Sequence, residues 1–427
     1  FTCAGTGTFS SSAGSSIVVA GQLDVDCNTI TVNSTMQTTR SEAVLRLKSR
    51  TSITIAASQT LQTNGGDLVL WSASAGGGSG LVSLGHSGCV NTNASCDETV
   101  SVSTGNIYIG GGASGTDFPI GPATSSNVTA AVSIGAGAGN TNVTRILSGG
   151  GNIEISATST GGSAVNAAGV YRIRSTTGAI TISGSSSATG TPAIALPGSS
   201  SLTASLIRSE RTTQTAVRIS GTHTNPGTDA IATTSNAIRV TGAGLTVEAP
   251  SGGSVIIEGT SATSKEIVAL WLERMNVNAV GGNVVVSGST SRFANQSFRG
   301  SGGSSLQIKS TNHIIFSNMT LTTTGPSSGA GGQISVWSDS DGDATGRIFS
   351  NGNLCASTIN DCAAVNNSPQ TGGANIWFGG GASANQSDFA PPGGAPSSSS
   401  SPGISFDALG SPIITSGGGD ISIASRI

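Results

Sequence analysis

Hydrophobic positions alternate with polar positions in short runs along the whole chain, and glycine, serine or asparagine bounds each run. The pattern appears as GGDLVLW at 65, GGNIEIS at 150, GGNVVVSG at 281 and GGDISIA at 418. Alternation with a period of two is typical of strands that bury one face. Because such runs recur roughly every 20 to 30 residues and none can form a core alone, they predict coils that stack on one another.

The predicted fold class is therefore all-β: an elongated, right-handed parallel β-helix with irregular Gly/Ser-rich loops. Coils stacked about 4.8 Å apart would bury a column of Ile, Val and Leu, while Gly and Asn would form the corners. An array of β-sandwiches is the alternative, but it needs tight hairpin signals and the loops here are mostly longer. The segment SKEIVALWLERM, residues 264–275, fits a helical face as well as a strand; we favour the strand.

The chain also contains a duplication. The stretch from Leu45 to Gly76 reappears from Leu306 to Gly342, and the cysteines and glycine-rich runs that follow recur in the same order; Trp71 and Trp337 are 266 residues apart. Because both copies are incomplete, we expect a segment of a longer tandem-repeat protein. The predicted organisation is one continuous solenoid over 1–427, repeat units at 1–159 and 250–427, intervening coils at 160–249, and a proline-rich loop excursion at 389–403.

Composition restricts the classes of partner. Charged residues make up 9% of the chain and the net charge is −3, so nothing in the sequence provides the basic surface that nucleic-acid binding requires. No apolar run of 18 residues occurs, and we expect no membrane insertion of this segment. The recurrent Ile and Val favour an ordered protein over a disordered Gly/Ser-rich one.

Six cysteines fall into local pairs. None has the spacing of a metal site and no histidine lies near a second ligand, so we expect no cofactor. Proximity and the duplication favour three disulfides, and disulfides indicate an extracellular or cell-surface location. Six cysteines allow fifteen connectivities, so the pairing is a hypothesis: Cys3 with Cys27, Cys89 with Cys96, and Cys355 with Cys362.

These residues resemble a known family. The run GGDLVLWSASAGGGSG, followed by GNIYIGGG and repeated GxITISG coils, is similar to the Gly-rich repeat regions of filamentous-haemagglutinin-like bacterial exoproteins. The resemblance covers nearly the whole chain and implies a β-helical surface adhesin. Its motifs are compositional and carry no catalytic residues.

Candidate chemistry is sparse. His86, His223 and His313 are isolated, and the charged clusters mix signs, as solvated loops do, so we expect no enzyme activity. The alternating carboxylates of Asp339, Asp341 and Asp343 are what a Ca²⁺ loop needs. The matching stretch after Trp71 has no carboxylate, however, and we therefore favour a polar turn.

Four aromatic residues are the candidate surface contacts. The position occupied by Val69 in one copy and by Ser335 in the other should tolerate water, so alternation places the next aromatic on the outer face. Outward aromatics would form a platform for sugar or protein, unless each packs beneath the adjacent disulfide loop, which we favour. The candidates are Trp71, Tyr108, Trp337 and Trp377.

The leading functional hypothesis is structural: a segment of a long, secreted or cell-surface fibre or stalk with an adhesin-like role. Its predicted partner is itself, through neighbouring repeats or through subunits stacked end to end on unpaired strand edges. A module that binds surface glycans with its outward aromatics is the alternative. A polysaccharide-degrading β-helix enzyme is the third, and it would need a cluster of charged side chains on one exposed face.

Overall fold

The computed structural model describes most of the chain. The described residues are 1–76, 78–93, 95–98, 104–114, 117–136, 142–197, 204–225, 235–242, 244–261, 268–324, 332–340, 346–351, 354–357, 374–380, 403–406, 413–416 and 419–424.

All regular structure in the described residues is β-strand, and no helix occurs there. In chain order the strands are β1 (Thr8–Ser10), β2 (Ser16–Val19), β3 (Leu23–Val32), β4 (Thr35–Ser41), β5 (Leu45–Ile55), β6 (Thr60–Asn64), β7 (Leu68–Ser72), β8 (Val82–Gly85), β9 (Cys89–Asn91), β10 (Ile107–Ser114), β11 (Pro119–Gly121), β12 (Ala123–Ser125), β13 (Val132–Ala136), β14 (Val143–Ser148), β15 (Ile153–Ser159), β16 (Val165–Ala167), β17 (Val170–Ser175), β18 (Ile180–Ser186), β19 (Ile194–Ala195), β20 (Ser205–Ser209), β21 (Thr215–His223), β22 (Ile238–Val240), β23 (Leu245–Ala249), β24 (Ser254–Ser261), β25 (Val268–Glu273), β26 (Met275–Val280), β27 (Val284–Gly288), β28 (Thr290–Ser301), β29 (Leu306–Ser310), β30 (Ile314–Thr323), β31 (Ile334–Ser338), β32 (Ile348–Ser350), β33 (Leu354–Ser357), β34 (Ile376–Gly380), β35 (Ile404–Phe406), β36 (Ile413–Thr415) and β37 (Ile421–Ile423).

Apart from the short strands β11 and β12, these strands stack in parallel, each on its counterpart one coil away, along three faces. Face 1 contains β3, β5, β7, β10, β15, β18, β21, β24, β27, β29, β31, β34 and β37. Face 2 contains β1, β3, β5, β8, β13, β16, β19, β22, β25, β28, β30, β32 and β35. Face 3 contains β2, β4, β6, β9, β14, β17, β20, β23, β26, β28, β30, β33 and β36. The long strands β3, β5, β28 and β30 bend around a corner and belong to two faces. The architecture is a parallel β-solenoid, as the alternation predicts; the β-sandwich alternative is wrong for the described coils.

The core is a set of axial rows in which one aliphatic residue of each coil lies directly against the same position of the next coil. At about 4.8 Å per coil, the clearest row on face 1 is roughly 60 Å long. It consists of Leu23, Leu45, Leu68, Ile107, Ile153, Ile180, Val217, Val255, Val284, Leu306, Ile334, Ile376 and Ile421.

Glycine is required at the corner that precedes face 1, because the backbones of successive coils touch there. A Cβ added at Gly105 would lie 2.2 Å from the carbonyl oxygen of Gly66, one added at Gly151 would lie 2.3 Å from that of Gly105, and one added at Gly178 would lie 2.1 Å from that of Gly151. The Ser175 hydroxyl donates to the Gly151 oxygen at 2.8 Å. The corner therefore has no room for a side chain, and neighbouring hydroxyls satisfy its buried carbonyl groups.

Asparagine side chains tie the same corner to the next coil. The backbone N–H of Asn152 donates to Asn106 Oδ1 at 2.8 Å, and that of Ala179 donates to Asn152 Oδ1 at 2.8 Å. The second copy repeats the bond, since the N–H of Asp420 donates to Asn375 Oδ1 at 2.9 Å. These side chains replace backbone hydrogen bonds where the strand pairing stops.

Two ambiguous segments have different outcomes. The described part of 264–275 is the strand β25 on face 2 and continues into β26, as favoured above; 262–267 lie outside the described residues. The proline-rich excursion predicted at 389–403 lies almost entirely outside them, and Gly403 alone is described.

Candidate functional site

The duplicated tryptophans occupy the same environment in both copies. Lys48 Nζ lies 4.8 Å from the centre of the Trp71 ring, and Lys309 Nζ lies 4.7 Å from that of Trp337. Each lysine comes from the preceding coil and is the direct register neighbour of its tryptophan. This cation–π contact, which contributes roughly 0.5 to 2 kcal/mol, is thus a duplicated stabilising element of face 1.

The prediction that these tryptophans are candidate surface contacts is wrong. Trp71 and Trp337 are 0% exposed, and Val69 and Ser335, which were expected to tolerate water, are also fully buried. The reason is visible at Trp71, whose Nε1 donates to the carbonyl oxygen of Gly112 at 3.0 Å. Alternation gives the direction of a side chain but not whether another segment folds over it.

The segment that covers Trp71 is an antiparallel hairpin. Strands β10 and β11 pair through Gly111 with Gly121 and through Ser114 with Pro119, so the chain leaves face 1 and returns over its outer side. Trp71 is therefore packed beneath another segment, as we favoured. The segment that covers it is this hairpin, however, and not the predicted disulfide loop. The disulfide loop begins at Cys89 in β9, which belongs to face 3.

Tyr108 and Trp377 do lie on the outer side of face 1, and both are half-buried. The Tyr108 ring packs on Phe118 with 4.8 Å between ring centres. Burial raises the pKa of the Tyr108 hydroxyl, and the nearby carboxylates of Asp67 and Glu154 raise it further. The four aromatic candidates thus do not form one exposed platform.

The carboxylate motif begins at a tight turn that both copies share. Asp339 and its counterpart Ala73 have the same left-handed backbone angle, φ 51°. A Cβ at Gly346 would lie 2.2 Å from the Asp339 nitrogen, and one at Gly80 would lie 2.3 Å from the Ala73 nitrogen. Because alanine makes this turn as well, the backbone geometry needs no bound cation. Asp341 and Asp343 lie outside the described residues, so the preference for a polar turn over a calcium loop stays a prediction.

The two cysteine pairs whose members are both among the described residues form disulfide bonds. Cys3 is bonded to Cys27, which fastens the first coil to the next, and Cys89 is bonded to Cys96 across a seven-residue separation. Cys355 is also disulfide-bonded, and Cys362 lies outside the described residues. Cys89 and Cys355 occupy equivalent positions, since each is the register neighbour of a threonine on the preceding coil.

Face 3 carries a cluster of charged side chains, the feature that the hypothesis of a polysaccharide-degrading enzyme requires. Glu210 binds Arg174 at 2.7 Å and Arg208 at 3.1 Å, and Arg208 also binds Glu248 at 3.3 Å. The adjoining cavity, beside Arg174, measures about 10 Å³, which is no larger than the space for one water molecule. These charges bind one another and connect neighbouring coils.

Two buried titratable groups lie inside the solenoid. His223 Nε2 lies 3.0 Å from the carbonyl oxygens of both Ala188 and Thr191. Carbonyl oxygens only accept, so Nε2 carries a proton. Burial lowers the pKa of His223. Tyr171 is completely buried, and burial raises the pKa of its hydroxyl. Both groups are structural, since neither faces an open surface.

Sequence reasoning missed an aromatic residue that two arginines contact. Trp271 is half-buried on the outer side of face 2, and the guanidinium carbons of Arg292 and Arg239 lie 4.6 and 5.6 Å from its ring centre. The signal was present in the runs AIRVTG, ALWLER and TSRFAN, because Arg, Trp and Arg occupy the outward position of each. It is visible only when consecutive coils are aligned with each other.

Comparison of the chain with protein-family models, with curated proteins and with solved structures finds no match in any of the three. The resemblance to filamentous-haemagglutinin-like repeat regions therefore stays a prediction. Among the described residues there is no helix of the length and apolar character needed to cross a membrane.

Proposed function

We propose that the chain is a stiff, elongated segment of an extracellular fibre or stalk that supports adhesion or cell-surface architecture. One observation carries this proposal: the core row of face 1 continues in register from Leu23 to Ile421, through every coil between them. Its parallel hydrogen bonds run along the long axis, so bending the body would break or stretch many of them together.

The exposed surface supports a passive role. Its charges are few, and many are used between coils, as in the ion pairs of Arg46 with Asp24 at 2.8 Å and of Lys48 with Asp26 at 3.6 Å. Each pair is worth little by itself at an exposed position, but an axial series of pairs favours the correct register between coils.

The disulfides support an extracellular location. Reducing conditions in the cytosol do not maintain such bonds, whereas an extracellular fibre gains from clamping its coils. Cys3–Cys27 clamps two successive coils and Cys89–Cys96 closes a loop on face 3.

Extension by stacking is part of the proposal. Ile421 and Ile423 occupy core-lining positions of β37 but are 46% and 48% exposed. A further coil, of the same chain or of a second copy, would bury them. Ile421→Asp together with Ile423→Asp should keep the purified 427-residue chain monomeric where the unmodified chain forms longer rods.

The test of the fibre role combines shape and location. Electron microscopy of the purified chain should show straight rods of uniform width. Antibodies against the chain should label intact cells of its source organism. The intact mass of the protein should decide whether the fibre extends by stacking of subunits or as one continuous chain. A mass near 41.6 kDa supports stacking of subunits, whereas a much larger mass supports one continuous chain. Labelling that appears only after the cells are permeabilised would overturn the proposal.

A further inference from the structure

The outer side of face 2 carries a row of residues that combines arginine with aromatic side chains. Successive coils place these residues in direct register, at about 4.8 Å per step. The row runs through Asn166, Ala195, Arg239, Trp271, Arg292, Ile315 and Phe349. All of them point away from the core, since the flanking residue on each side is buried.

The middle of the row holds two positive charges around one indole. Arg239 belongs to the coil before Trp271 and Arg292 to the coil after it, so one guanidinium lies on each side of the ring along the axis. The stacking restricts both guanidinium groups, and both arginines remain half-buried rather than fully covered.

Neither arginine is neutralised by a carboxylate within the described ranges. Arg239 Nε is shielded from solvent and has no hydrogen-bond partner among the described residues. Glu273, two positions beyond Trp271 on the same strand, forms an ion pair with neither. This contrasts with Arg46, Arg174, Arg208 and Arg218, each of which binds an acidic side chain.

A groove of about 260 Å³ lies beside the end of the row that runs from Asn166 to Arg239. Arg239 and Asn166 line it together with small hydroxyl side chains such as Ser163, Thr191 and Thr241. The volume is close to the lower end for small-molecule sites, and the lining offers several hydrogen-bond groups for sugar hydroxyls. At the opposite end the row continues with the half-buried apolar surfaces of Ile315 and Phe349.

We propose that this row binds a linear polysaccharide that carries carboxylate groups, that is, a chain containing uronic acid residues. Arg239 and Arg292 would each bind a carboxylate through two parallel N–H···O bonds, the geometry for which a guanidinium is suited. The groove beside Arg239 would hold one sugar unit, and Phe349 would contact the C–H face of another. This inference does not rest on the fibre proposal.

The observations favour a polysaccharide over other polyanions. A nucleic acid needs a broad basic field, whereas this chain has a net charge of −3 and only two unneutralised guanidinium groups in the row. The groove lining combines three hydroxyls and an amide, which suit sugar hydroxyls, with small apolar side chains and two prolines, which suit the C–H faces of a sugar ring. The row is straight and parallel to the axis, which suits an extended polymer.

The test is titration calorimetry of the full chain with oligogalacturonate and with the same oligosaccharide after methyl esterification. Esterification removes the charge and keeps the sugar backbone, so this comparison needs no variant. Arg239→Gln and Arg292→Gln should each weaken binding of the acid form roughly tenfold or more, because each removes a charged hydrogen-bond pair. Arg218→Gln is the matched control, since that outward arginine lies on face 1 and is paired with Glu258; its affinity should be unchanged.

Three results would overturn the proposal: no binding of the acid oligosaccharide, equal affinity for its ester, or an affinity that neither face 2 variant changes. Equally tight binding of dextran sulfate or single-stranded DNA, lost in the same variants, would also overturn it, because the row would then attract any polyanion. The circular dichroism spectrum of each variant should match that of the unmodified chain. Arg239→Lys should bind the acid oligosaccharide with intermediate affinity, because lysine keeps the positive charge but cannot form two parallel hydrogen bonds to a carboxylate.

Discussion

Replacing Gly151 by alanine tests the corner packing on which the stacking of coils depends. The new Cβ would lie 2.3 Å from the carbonyl oxygen and 2.4 Å from the carbonyl carbon of Gly105, which belongs to the preceding coil. Both atoms are backbone, so no side chain can rotate away. The two coils would have to separate at this corner by about 1 Å to restore ordinary contact.

The magnitude follows from three terms. Overpacking of a close-packed region costs about 1 to 3 kcal/mol, and a contact between backbones belongs at the upper end. Separation would also weaken hydrogen bonds across the corner, including the 2.8 Å bond from Asn152 N–H to Asn106 Oδ1, at about 1 kcal/mol for each bond lost. Alanine offsets about 0.4 to 1 kcal/mol of this by restricting the unfolded chain. We expect a net loss of roughly 2 to 4 kcal/mol.

The assay should be local, because a solenoid unfolds in sections and a single global free energy is poorly defined for it. For a chain of 427 residues, 1 kcal/mol corresponds to only about 1 °C in melting temperature even if unfolding is cooperative. Native-state hydrogen exchange is more sensitive. Amides of Ile107 and Asn152, which bond across the affected corner to the Asn152 carbonyl and to Asn106 Oδ1 respectively, should exchange roughly 30 to 700 times faster in Gly151→Ala.

Gly21→Ala is the matched control. Gly21 is also a corner glycine outside a strand, its φ is not left-handed, and an added Cβ would have no heavy atom within 4 Å. This variant should be neutral or slightly more stable, since only the effect on the unfolded chain remains. Equal exchange rates in Gly151→Ala and Gly21→Ala would refute the argument that backbone contact dictates glycine at this corner.

Three further predictions concern the buried aromatics, the buried histidine and the first disulfide. Because Trp71 and Trp337 are 0% exposed, a variant whose two other tryptophans are phenylalanine should resist iodide quenching, and strong quenching would contradict their burial. Burial lowers the pKa of His223, so the unfolded state takes up its proton first as pH falls below about 6.5, and stability is lost over that range. His223→Gln should flatten the dependence of melting temperature on pH between 8 and 5.5, roughly, and an unchanged slope would assign the loss to other groups. Replacing Cys3 and Cys27 by serine should cost about 3.5 kcal/mol by loop closure across their separation of 24 residues, with faster hydrogen exchange confined to the first coils.

Most of the fold was predictable from sequence because a solenoid repeats one local rule. The run DLVLW places Leu68 and Leu70 inward, and both line the core, as do Ile153 and Ile155 of NIEIS. Two requirements explain the glycine pair before DLVLW: Gly65 has a left-handed φ of 89°, and a Cβ at Gly66 would lie 2.1 Å from the carbonyl oxygen of Ala43 on the preceding coil. The duplication added a second line of evidence, since Ala73 and Asp339 show that the same turn forms with different side chains.

The surface was less predictable, and for a physical reason. Exposure at an outward position depends on segments that leave the coil, and the hairpin over Trp71 is encoded about forty residues later, at Gly112. Which residues are neighbours on the surface likewise depends on how successive coils align along the axis. Arg239, Trp271 and Arg292 are separated by more than twenty residues at each step, and irregular loops between them hide the alignment.

Axial register also explains why the face 2 row is unusual. Two arginines on successive coils lie about 4.8 Å apart and repel by roughly 0.9 kcal/mol even in water. On face 3, where Arg174 and Arg208 are such neighbours, Glu210 binds both and removes the repulsion.

On face 2, Trp271 separates Arg239 from Arg292 instead. The two arginines are then two coils apart, and this doubled distance lowers their repulsion to roughly 0.4 kcal/mol. Each cation–π contact with the indole stabilises the stack by about 0.5 to 1 kcal/mol. Both arrangements stabilise the stack, but they differ in the charge that is left over. A carboxylate neutralises the arginines that it binds, whereas an indole leaves both guanidinium groups able to bind an anion. The two charges held side by side without a carboxylate are the reason to expect a ligand there.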